Sequence, residues 1–275
     1  MPEKPEVITV AKKLETKLFN KRILDVEIFY DNVIEYPSVE DFKEKIKNQQ
    51  IHEITTRGKW IVFTLDDYNL LVHLRMEGKF FFRTEKDEKN KHEHVFFNLD
   101  DGTQLRYADI RKFGKMMLIE KDKLYSMKPY TELGLEPWDK NLTSDYLKEK
   151  YSKKTLPIKS VLLDQSIITG IGNIYADEIL FLSKINPLKK AKELTDKNRK
   201  RIIENTIKVL NEAIEKGGTT IRSYTSEEGV TGIFQNDLLV HQREKEKCYL
   251  CNSQIVKIRV GGRGTYYCPK CQKLR

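Results

Sequence analysis

The second residue of the chain is a proline, and its position suggests covalent chemistry. The sequence opens Met1-Pro2-Glu3, and removal of an initiator Met before a small residue would expose the secondary amine of Pro2. An α-amino group titrates near pH ~7.7–8.0, so part of it is uncharged and nucleophilic at neutral pH. Such an amine attacks an aldehyde carbon to give an iminium ion, and the Glu3 carboxyl could serve as a general acid or base. The alternative is that a Met-Pro start only protects the chain from degradation.

All four cysteines of the chain lie near its end, in two C-x2-C pairs: Cys248 with Cys251, and Cys268 with Cys271. This spacing is typical of a structural zinc site, in which four thiolates close a tetrahedron and leave no open position for catalysis. The alternative is two disulfides. The first residues are charged and lack the apolar core of a secretion signal, and a reducing cytoplasm favours zinc over disulfides. We therefore expect one structural Zn²⁺ and a cytoplasmic location.

The segment between the two cysteine pairs predicts a β-hairpin. Ile255 to Val260 has the composition of a strand, Gly261-Gly262 supplies a turn, and a second strand follows from Arg263. We expect the zinc ion to hold Arg263 at the tip of this hairpin.

Length and charge limit the class of protein. A chain of 275 residues is long enough for two domains and a small metal module. It carries 50 Lys and Arg against 41 Asp and Glu, a formal net charge of +9, which favours a polyanionic partner. The alternative is a protein that is merely basic. Apolar runs stay well short of the ~18 residues of a membrane span, which argues against a membrane protein.

The hydrophobic pattern changes along the chain. Apolar residues at helical spacing predict a first helix from Pro5 to Phe19, followed by a strand-like region from Lys21 to Glu120. Short apolar and aromatic runs separated by turns suggest a two-sheet sandwich or barrel. The expected strands are Trp60–Leu65, Leu70–Leu74, Lys79–Arg83, His94–Leu99, Gln104–Tyr107 and Lys115–Ile119. From Asn141 to Lys216 the pattern is helical, and Gly217-Gly218 ends the last helix.

Five separated blocks carry a resemblance to a known family. They are PEKPEV at the start, RGKW at 57–60, DIRKFG at 109–114, GIGNIYADE at 170–178 and RGTYYCPKC at 263–271. With the cysteine spacing, these blocks make the chain resemble the bacterial formamidopyrimidine-DNA glycosylases, also called 8-oxoguanine DNA glycosylases, over essentially its whole length. The resemblance implies an enzyme of base excision repair whose partner is damaged double-stranded DNA, acting as a monomer.

The resemblance also implies an α+β fold in three parts. They are an N-terminal catalytic β-sandwich with flanking helices at 1–130, a helix–two-turn–helix DNA-binding domain with a lesion-recognition loop at 131–240, and a zinc-finger hairpin at 241–275.

The family's catalytic residues match four positions of this sequence. By resemblance, Pro2 attacks C1′ of the damaged nucleotide, and Glu3 protonates the sugar ring oxygen as the ring opens. The iminium ion acidifies neighbouring C–H bonds, so β-elimination and then δ-elimination cut the strand. Lys59 matches a basic residue close to the nucleophile and a phosphate. Arg263 matches a phosphate-binding arginine that is linked to δ-elimination, and its fork suits bidentate phosphate contact.

Other matches concern DNA contacts. An extruded base leaves a gap in the stack, and by resemblance Met76, Arg111 and Phe113 fill it. His92, Lys154 and Asn173 match residues that contact DNA. From the residues alone, Met76 and Phe113 could be ordinary strand core, and His92 and Lys154 solvated surface groups. The glycines of Gly170 to Asn173 precede a helix, and the free N–H groups at a helix N-terminus suggest an anion site.

The sequence departs from the family pattern at several places. Lys4 replaces a usual apolar residue, Ile110 a common proline, and His241-Gln242 a usual Tyr-Gly pair. Glu6 and the loop from Thr219 to Phe234 are expected to help recognise the extruded base.

Two alternative functions remain open. One is an endonuclease VIII-type glycosylase for oxidised pyrimidines, although that class fills the gap with residues other than the Met76, Arg111 and Phe113 set. The other is a non-catalytic, zinc-dependent DNA-binding protein, against which the intact Pro2-Glu3 start and Lys59 argue.

Overall fold

The structure, a computed structural model, describes residues 1–219 and 233–274. The chain divides into two compact units. The first contains Met1–Pro2 and Glu6–Thr131, and the second contains Glu3–Pro5, Glu132–Thr219 and the described residues from 233 onward. Within the described residues, no helix is both long enough and apolar enough to cross a membrane.

The first helix matches its prediction closely. Helix α1 runs from Lys4 to Leu18, against an expected Pro5 to Phe19. The apolar side chains that recur at helical spacing are buried, and they join the core of the first unit. They are Val7, Val10, Ala11, Leu14 and Leu18.

Two five-stranded sheets build the first unit, which confirms the two-sheet prediction. The order is β3-β1-β8-β9-β7 in one sheet and β2-β10-β6-β5-β4 in the other. The strands are β1 Arg22–Ile28, β2 Ile34–Tyr36, β3 Gln49–Gln50, β4 Glu53–Arg57, β5 Trp60–Thr64, β6 Tyr68–His73, β7 Lys79–Thr84, β8 Glu93–Leu99, β9 Thr103–Ala108 and β10 Lys115–Glu120. A single apolar core joins α1 to both sheets.

One helix interrupts the region that was expected to be strand-like throughout. Helix α2 runs from Val39 to Ile46, and Ser38 caps it by accepting a hydrogen bond from the Asp41 N–H at 3.1 Å. Phe42 and Ile46 lie one turn apart and are both buried. The uniform strand prediction was therefore wrong here, because an N-cap serine and an i,i+4 apolar pair specify a helix.

The second unit is helical where the sequence predicted helices. Its helices are α3 Ser144–Tyr151, α4 Ile158–Leu162, α5 Asn173–Leu182 and α6 Asp196–Glu215. Thr195 and Asn198 form a capping box that starts α6. Gly217 and Gly218 follow its end with φ of 72° and 80°, in the left-handed region that glycine adopts most easily.

The predicted hairpin is present near the C-terminus. Strand β11 (Val256–Val260) pairs antiparallel with β12 (Arg263–Tyr267), and Gly261-Gly262 forms the turn with φ of 54° and 76°. Most of the expected lesion-recognition loop, from Thr220 to Gly232, lies outside the described residues.

Candidate active site and DNA-contact residues

The carboxylate of Glu3 lies at the N-terminus of α5. Its Oε1 accepts from the N–H of Ile174 at 3.0 Å and its Oε2 from the N–H of Tyr175 at 3.4 Å. These are N–H groups of the first helical turn, which have no partner within the helix, and the helix dipole favours an anion there. The anion that the glycine-rich block holds in this structure is thus Glu3, which is only 3% exposed.

Gly172 is required at its position for steric reasons. An added Cβ would lie 2.2 Å from Cδ of Glu3 and 2.5 Å from its Oε1. Real Cβ atoms do not approach other heavy atoms so closely, and α5 begins directly after this residue. The absence of a side chain at Gly172 therefore lets Glu3 reach the helix N-terminus.

The neighbouring Lys4 is fastened to the same part of the second unit. Its N–H donates to the main-chain oxygen of Gly170 at 3.0 Å, and its Nζ lies 3.0 Å from Oε2 of Glu136. The side chain of Lys4 is 4% exposed. Where the resemblance implies an apolar residue, this chain therefore has a partly buried ion pair, in which Lys4 is 4% and Glu136 is 24% exposed.

Pro2 and Lys59 both belong to the first unit. Pro2 is buried, and Met1 precedes it, so its nitrogen is part of a peptide bond until Met1 is removed. Lys59 is 6% exposed and lies in the turn between β4 and β5, where Gly58 has a φ of 56°. Lys59 is therefore not a solvated surface group.

Arg263 is exposed at the start of β12, and its hairpin is bonded to α5. The side-chain Nδ2 of Asn173 donates to the main-chain oxygen of Gly264 at 3.0 Å. Asn173 is the first residue of α5, so one helix contacts both Glu3 and the residue next to Arg263.

A buried polar network extends from α5, and sequence reasoning missed it. Asp177 accepts a close hydrogen bond from Nζ of Lys159, and both side chains are fully buried. The other carboxylate oxygen of Asp177 lies 2.7 Å from Nδ1 of His241. The His241 ring in turn packs edge-on against Tyr266 of β12, with 4.9 Å between the ring centroids. Burial lowers the pKa of Lys159, against the opposing effect of Asp177. In the sequence, the one indication of this network is that Lys159 and Asp177 each lie within an apolar run.

Glu178 fixes the chain just before the zinc module. Its carboxylate accepts from the N–H groups of Leu239 at 2.8 Å, Val240 at 3.0 Å and His241 at 2.8 Å. Burial raises the pKa of Glu178. Gln242 follows with a φ of 63°, in the left-handed region that glycine adopts most easily, which agrees with the glycine that the resemblance implies here.

The four cysteines come together as the spacing predicted. Their Sγ atoms all lie within 4.8 Å of one another, and none of the four forms a disulfide. Zinc–sulfur bonds of about 2.3 Å require thiolates about 3.8 Å apart, and the 3.9 Å between Cys248 and Cys271 fits this geometry. Burial raises the pKa of the Cys268 and Cys271 thiols, so a cation is needed to hold them as thiolates. These four residues hold one structural Zn²⁺.

The gap-filling candidates lie on two turns of the first unit. Arg111 and Phe113 are both exposed, and the guanidinium carbon of Arg111 lies 4.7 Å from the centroid of the Phe113 ring. Met76 is half-buried in the turn between β6 and β7, after Arg75 with a φ of 51°. Ile110, the departure from a common proline, is 61% exposed. Phe113 and Met76 are therefore not ordinary strand core.

The other two residues expected to contact DNA, His92 and Lys154, lie in different environments. His92 is partly exposed, and its main-chain oxygen accepts from the N–H of Asp109 at 2.9 Å. Nζ of Lys154 lies 3.2 Å from Asp164, and the lysine side chain is 41% exposed. Lys154 is in the second unit and His92 in the first.

Three family models match successive parts of the chain. The formamidopyrimidine-DNA glycosylase N-terminal domain matches residues 1–116, the formamidopyrimidine-DNA glycosylase H2TH domain matches 133–225, and a zinc finger found in FPG and IleRS matches 245–274.

Whole-length relatives agree with these matches. The chain is 43% identical to the formamidopyrimidine-DNA glycosylase of Oceanobacillus iheyensis over 99% of this chain and 98% of the relative. It is 45% identical to the formamidopyrimidine-DNA glycosylase of Exiguobacterium sibiricum over 100% of this chain and 99% of the relative. A solved complex of a Lactococcus lactis FPG mutant with Fapy-dG-containing DNA superimposes with a TM-score of 0.93 at 38% identity, covering 99% of this chain and 100% of that one. A Lactococcus lactis Fpg complex with abasic DNA gives a TM-score of 0.92 at 38% identity, again covering 99% and 100%. The chain belongs to the formamidopyrimidine-DNA glycosylase family.

Proposed function

We propose that the chain is a bifunctional DNA glycosylase and AP lyase that excises oxidised purines, 8-oxoguanine and formamidopyrimidines, from damaged duplex DNA. The observation that carries this proposal is the carboxylate of Glu3, buried on the N-terminus of α5 and directly adjacent in sequence to Pro2. Relatives over the whole chain are formamidopyrimidine-DNA glycosylases. Similar solved structures hold DNA with Fapy-dG, an abasic site or carbocyclic 8-oxo-G.

The amine of Pro2 starts the reaction once Met1 is removed. Its lone pair forms a bond to C1′, and the damaged base leaves with the electron pair of the glycosidic bond. The nitrogen then gives its proton to the Glu3 carboxylate. The bond from C1′ to the ring oxygen breaks, the oxygen takes this proton from Glu3, and nitrogen and C1′ become an iminium ion. Because Glu3 is held by two main-chain N–H groups, its position is set before the substrate binds.

The iminium ion then drives strand cleavage. Loss of a proton from C2′ breaks the C3′–O bond and releases the phosphate there. Loss of a proton from C4′ breaks the C5′–O bond and releases the second phosphate. Hydrolysis of the iminium ion returns the amine of Pro2 and leaves a one-nucleotide gap.

Basic side chains hold the DNA in this scheme. Arg263 binds a phosphate from the zinc hairpin, and Lys59 lies near the nucleophile and another phosphate. Asn173, His92 and Lys154 contact the backbone, and the Met76, Arg111 and Phe113 set fills the gap left by the extruded base. The net charge of +9 supports a polyanionic partner.

The organisation that goes with this function has three domains. They are the catalytic part at 1–130, the helix–two-turn–helix part at 131–240 and the zinc finger at 241–275. The protein acts as a monomer, in the cytoplasm and on the nucleoid.

Trapping with borohydride tests the proposal. The purified protein is mixed with a duplex that carries 8-oxoguanine opposite C, reduced, and analysed on a denaturing gel with mass mapping of the adduct. We expect a covalent adduct at the N-terminal nitrogen of Pro2. Pro2→Gly and a chain with an extra residue before Pro2 are the two controls, and both should lower adduct formation severely.

Other outcomes would overturn parts of the proposal. An adduct that forms only with an oxidised pyrimidine duplex would assign the chain to the endonuclease VIII type. A complete lack of adduct and of cleavage with every lesion would leave a non-catalytic DNA-binding protein. An adduct at a lysine would keep the lyase chemistry but remove Pro2 as the nucleophile.

A further inference from the structure

The turn that carries Arg111 and Phe113 is built around one buried carboxylate. Asp109 is 1% exposed. Its Oδ1 accepts from the N–H of Arg111 at 3.0 Å, and its Oδ2 accepts from the N–H groups of Phe113 at 2.9 Å and Gly114 at 2.8 Å. Three main-chain donors therefore converge on a single side chain, which fixes the path of the turn.

The main chain of Asp109 fastens the same turn to the neighbouring loop. Its N–H donates to the oxygen of His92 at 2.9 Å, and its oxygen lies 2.9 Å from Nε2 of His94, which is buried. A change at Asp109 therefore reaches the His92 loop as well as the turn.

The hydroxyl of Tyr107 connects this turn to the one that holds Met76. Tyr107 is fully buried, and its hydroxyl lies 3.4 Å from Oδ2 of Asp109. A Cβ on Gly114 would lie 1.6 Å from that hydroxyl, and a Cβ on Gly78 would lie 2.4 Å from it. Gly78 closes the Met76 turn by donating its N–H to Leu74 at 2.9 Å. The hydroxyl thus occupies the space that both glycines leave open.

We propose that Asp109 and Tyr107 are positioning residues that hold the Met76 turn and the Arg111–Phe113 turn at a fixed separation, so that the three side chains enter the DNA stack together. The proposal rests on the proposed function, because it concerns the step in which the lesion leaves the stack. Side chains that enter a base stack must offset the cost of unstacking, and a turn ordered beforehand loses less entropy on binding.

Two conservative variants test the proposal. Asp109→Asn keeps the shape of the side chain but replaces one acceptor oxygen with an NH2 group, which leaves at least one of the three main-chain N–H groups without an acceptor. Tyr107→Phe removes only the hydroxyl. Asp101→Asn is the matched control, because Asp101 accepts from Thr103 N at 3.1 Å in an exposed turn of the same unit.

The readouts are single-turnover base release from an 8-oxoguanine·C duplex and strand cleavage of a preformed abasic duplex. We expect Asp109→Asn to slow base release by about tenfold, the effect of a lost buried acceptor, and Tyr107→Phe to slow it by a few-fold. Cleavage of the abasic duplex should slow much less, since no base must be extruded there. In a protein that already carries Phe113→Ala, Asp109→Asn should slow base release little further, because both changes act on the same step.

Each outcome decides something. Equal losses on the two duplexes would overturn the proposal, because a loss of folded protein or of general chemistry affects both alike. Additive effects of Asp109→Asn and Phe113→Ala would also overturn it. If the unsubstituted protein releases no base from any lesion duplex, the proposed function fails instead.

Discussion

Nδ2 of Asn173 donates to the main-chain oxygen of Gly264 at 3.0 Å, so the first residue of α5 is bonded directly to the zinc hairpin. Two residues of the next helical turn extend this connection. The carboxylate of Asp177 is hydrogen-bonded to the ring of His241, and the carboxylate of Glu178 accepts from main-chain N–H groups between Leu239 and His241. Helix α5 thus positions Glu3 at its N-terminus and the segment leading to the zinc finger along its side.

Gly172→Ala should abolish most of the base excision activity. The added methyl would overlap the Glu3 carboxyl, with 2.2 Å to its Cδ, and would force it off the N–H groups of Ile174 and Tyr175. Gly102→Ala is the control, since its Cβ meets nothing within 4 Å although its φ of +78° is strained. The control should lose about 1 kcal/mol of stability and keep its activity. Equal activity of the two variants in a duplex excision assay would show that Glu3 does not act from this position.

His241→Ala should destabilise the second unit more than His52→Ala destabilises the first. His241 lies 2.7 Å from Asp177 with side chains 7% and 0% exposed, whereas His52 lies 2.6 Å from Asp66 with side chains 43% and 34% exposed. A buried acceptor that loses its partner costs about 1–3 kcal/mol, and an exposed pair contributes about 0–1 kcal/mol. Denaturant unfolding with the two variants side by side measures the difference, and similar losses would contradict the interpretation.

His73 should make the protein less stable as the pH falls below neutrality. Burial, with Arg75 and Lys59 nearby, lowers the pKa of His73 from 6.5 to about 3. The unfolded chain therefore binds a proton between these values that the folded protein does not, so stability is complete above pH 6.5 and declines as the pH falls towards 3. The slope approaches about 1.4 kcal/mol per pH unit from this group.

Substitution of His73 provides the check on that slope. Its Nδ1 accepts the N–H of Arg75 at 3.0 Å, beside Met76, so protonation also breaks a bond in the Met76 turn. In His73→Gln the free energy of unfolding should vary less steeply between pH 4 and 6.5. An unchanged slope would mean that other groups cause the acid sensitivity.

Removal of zinc should weaken DNA binding by loosening the hairpin that carries Arg263. The buried apolar cluster of this module is small, so we expect the metal to order it; its members are Phe181 of α5, Val240, Cys248, Ile255 and Cys268. After chelation we expect release of one zinc ion and a large loss of affinity for an abasic-analogue duplex. Arg263→Ala in the zinc-bound protein should lose affinity and keep the metal. Full affinity after complete zinc removal would show that the hairpin holds its shape unaided.

The sequence predicted those features that depend on neighbours along the chain. Helix α1, the strands from Trp60 onward and the cysteine site follow from local periodicity and spacing, and each is present. The partners of Glu3, Asp177 and Asp109 depend on the fold. Ile174 is 171 positions from Glu3, and His241 is 64 positions from Asp177. A single sequence contains no local signal for such pairs, and a short helix such as α2 is hidden inside a strand-rich region.

The attachment of Glu3 and Lys4 to the segment from Gly170 to Tyr175 has a consequence for biosynthesis. A ribosome releases the N-terminus first, yet the groups that hold it are made only after more than half of the chain has been translated. Until then Glu3 and Lys4 have none of these partners to bind. The order of translation thus delays the final placement of the Glu3 carboxyl until the start of α5 has been made.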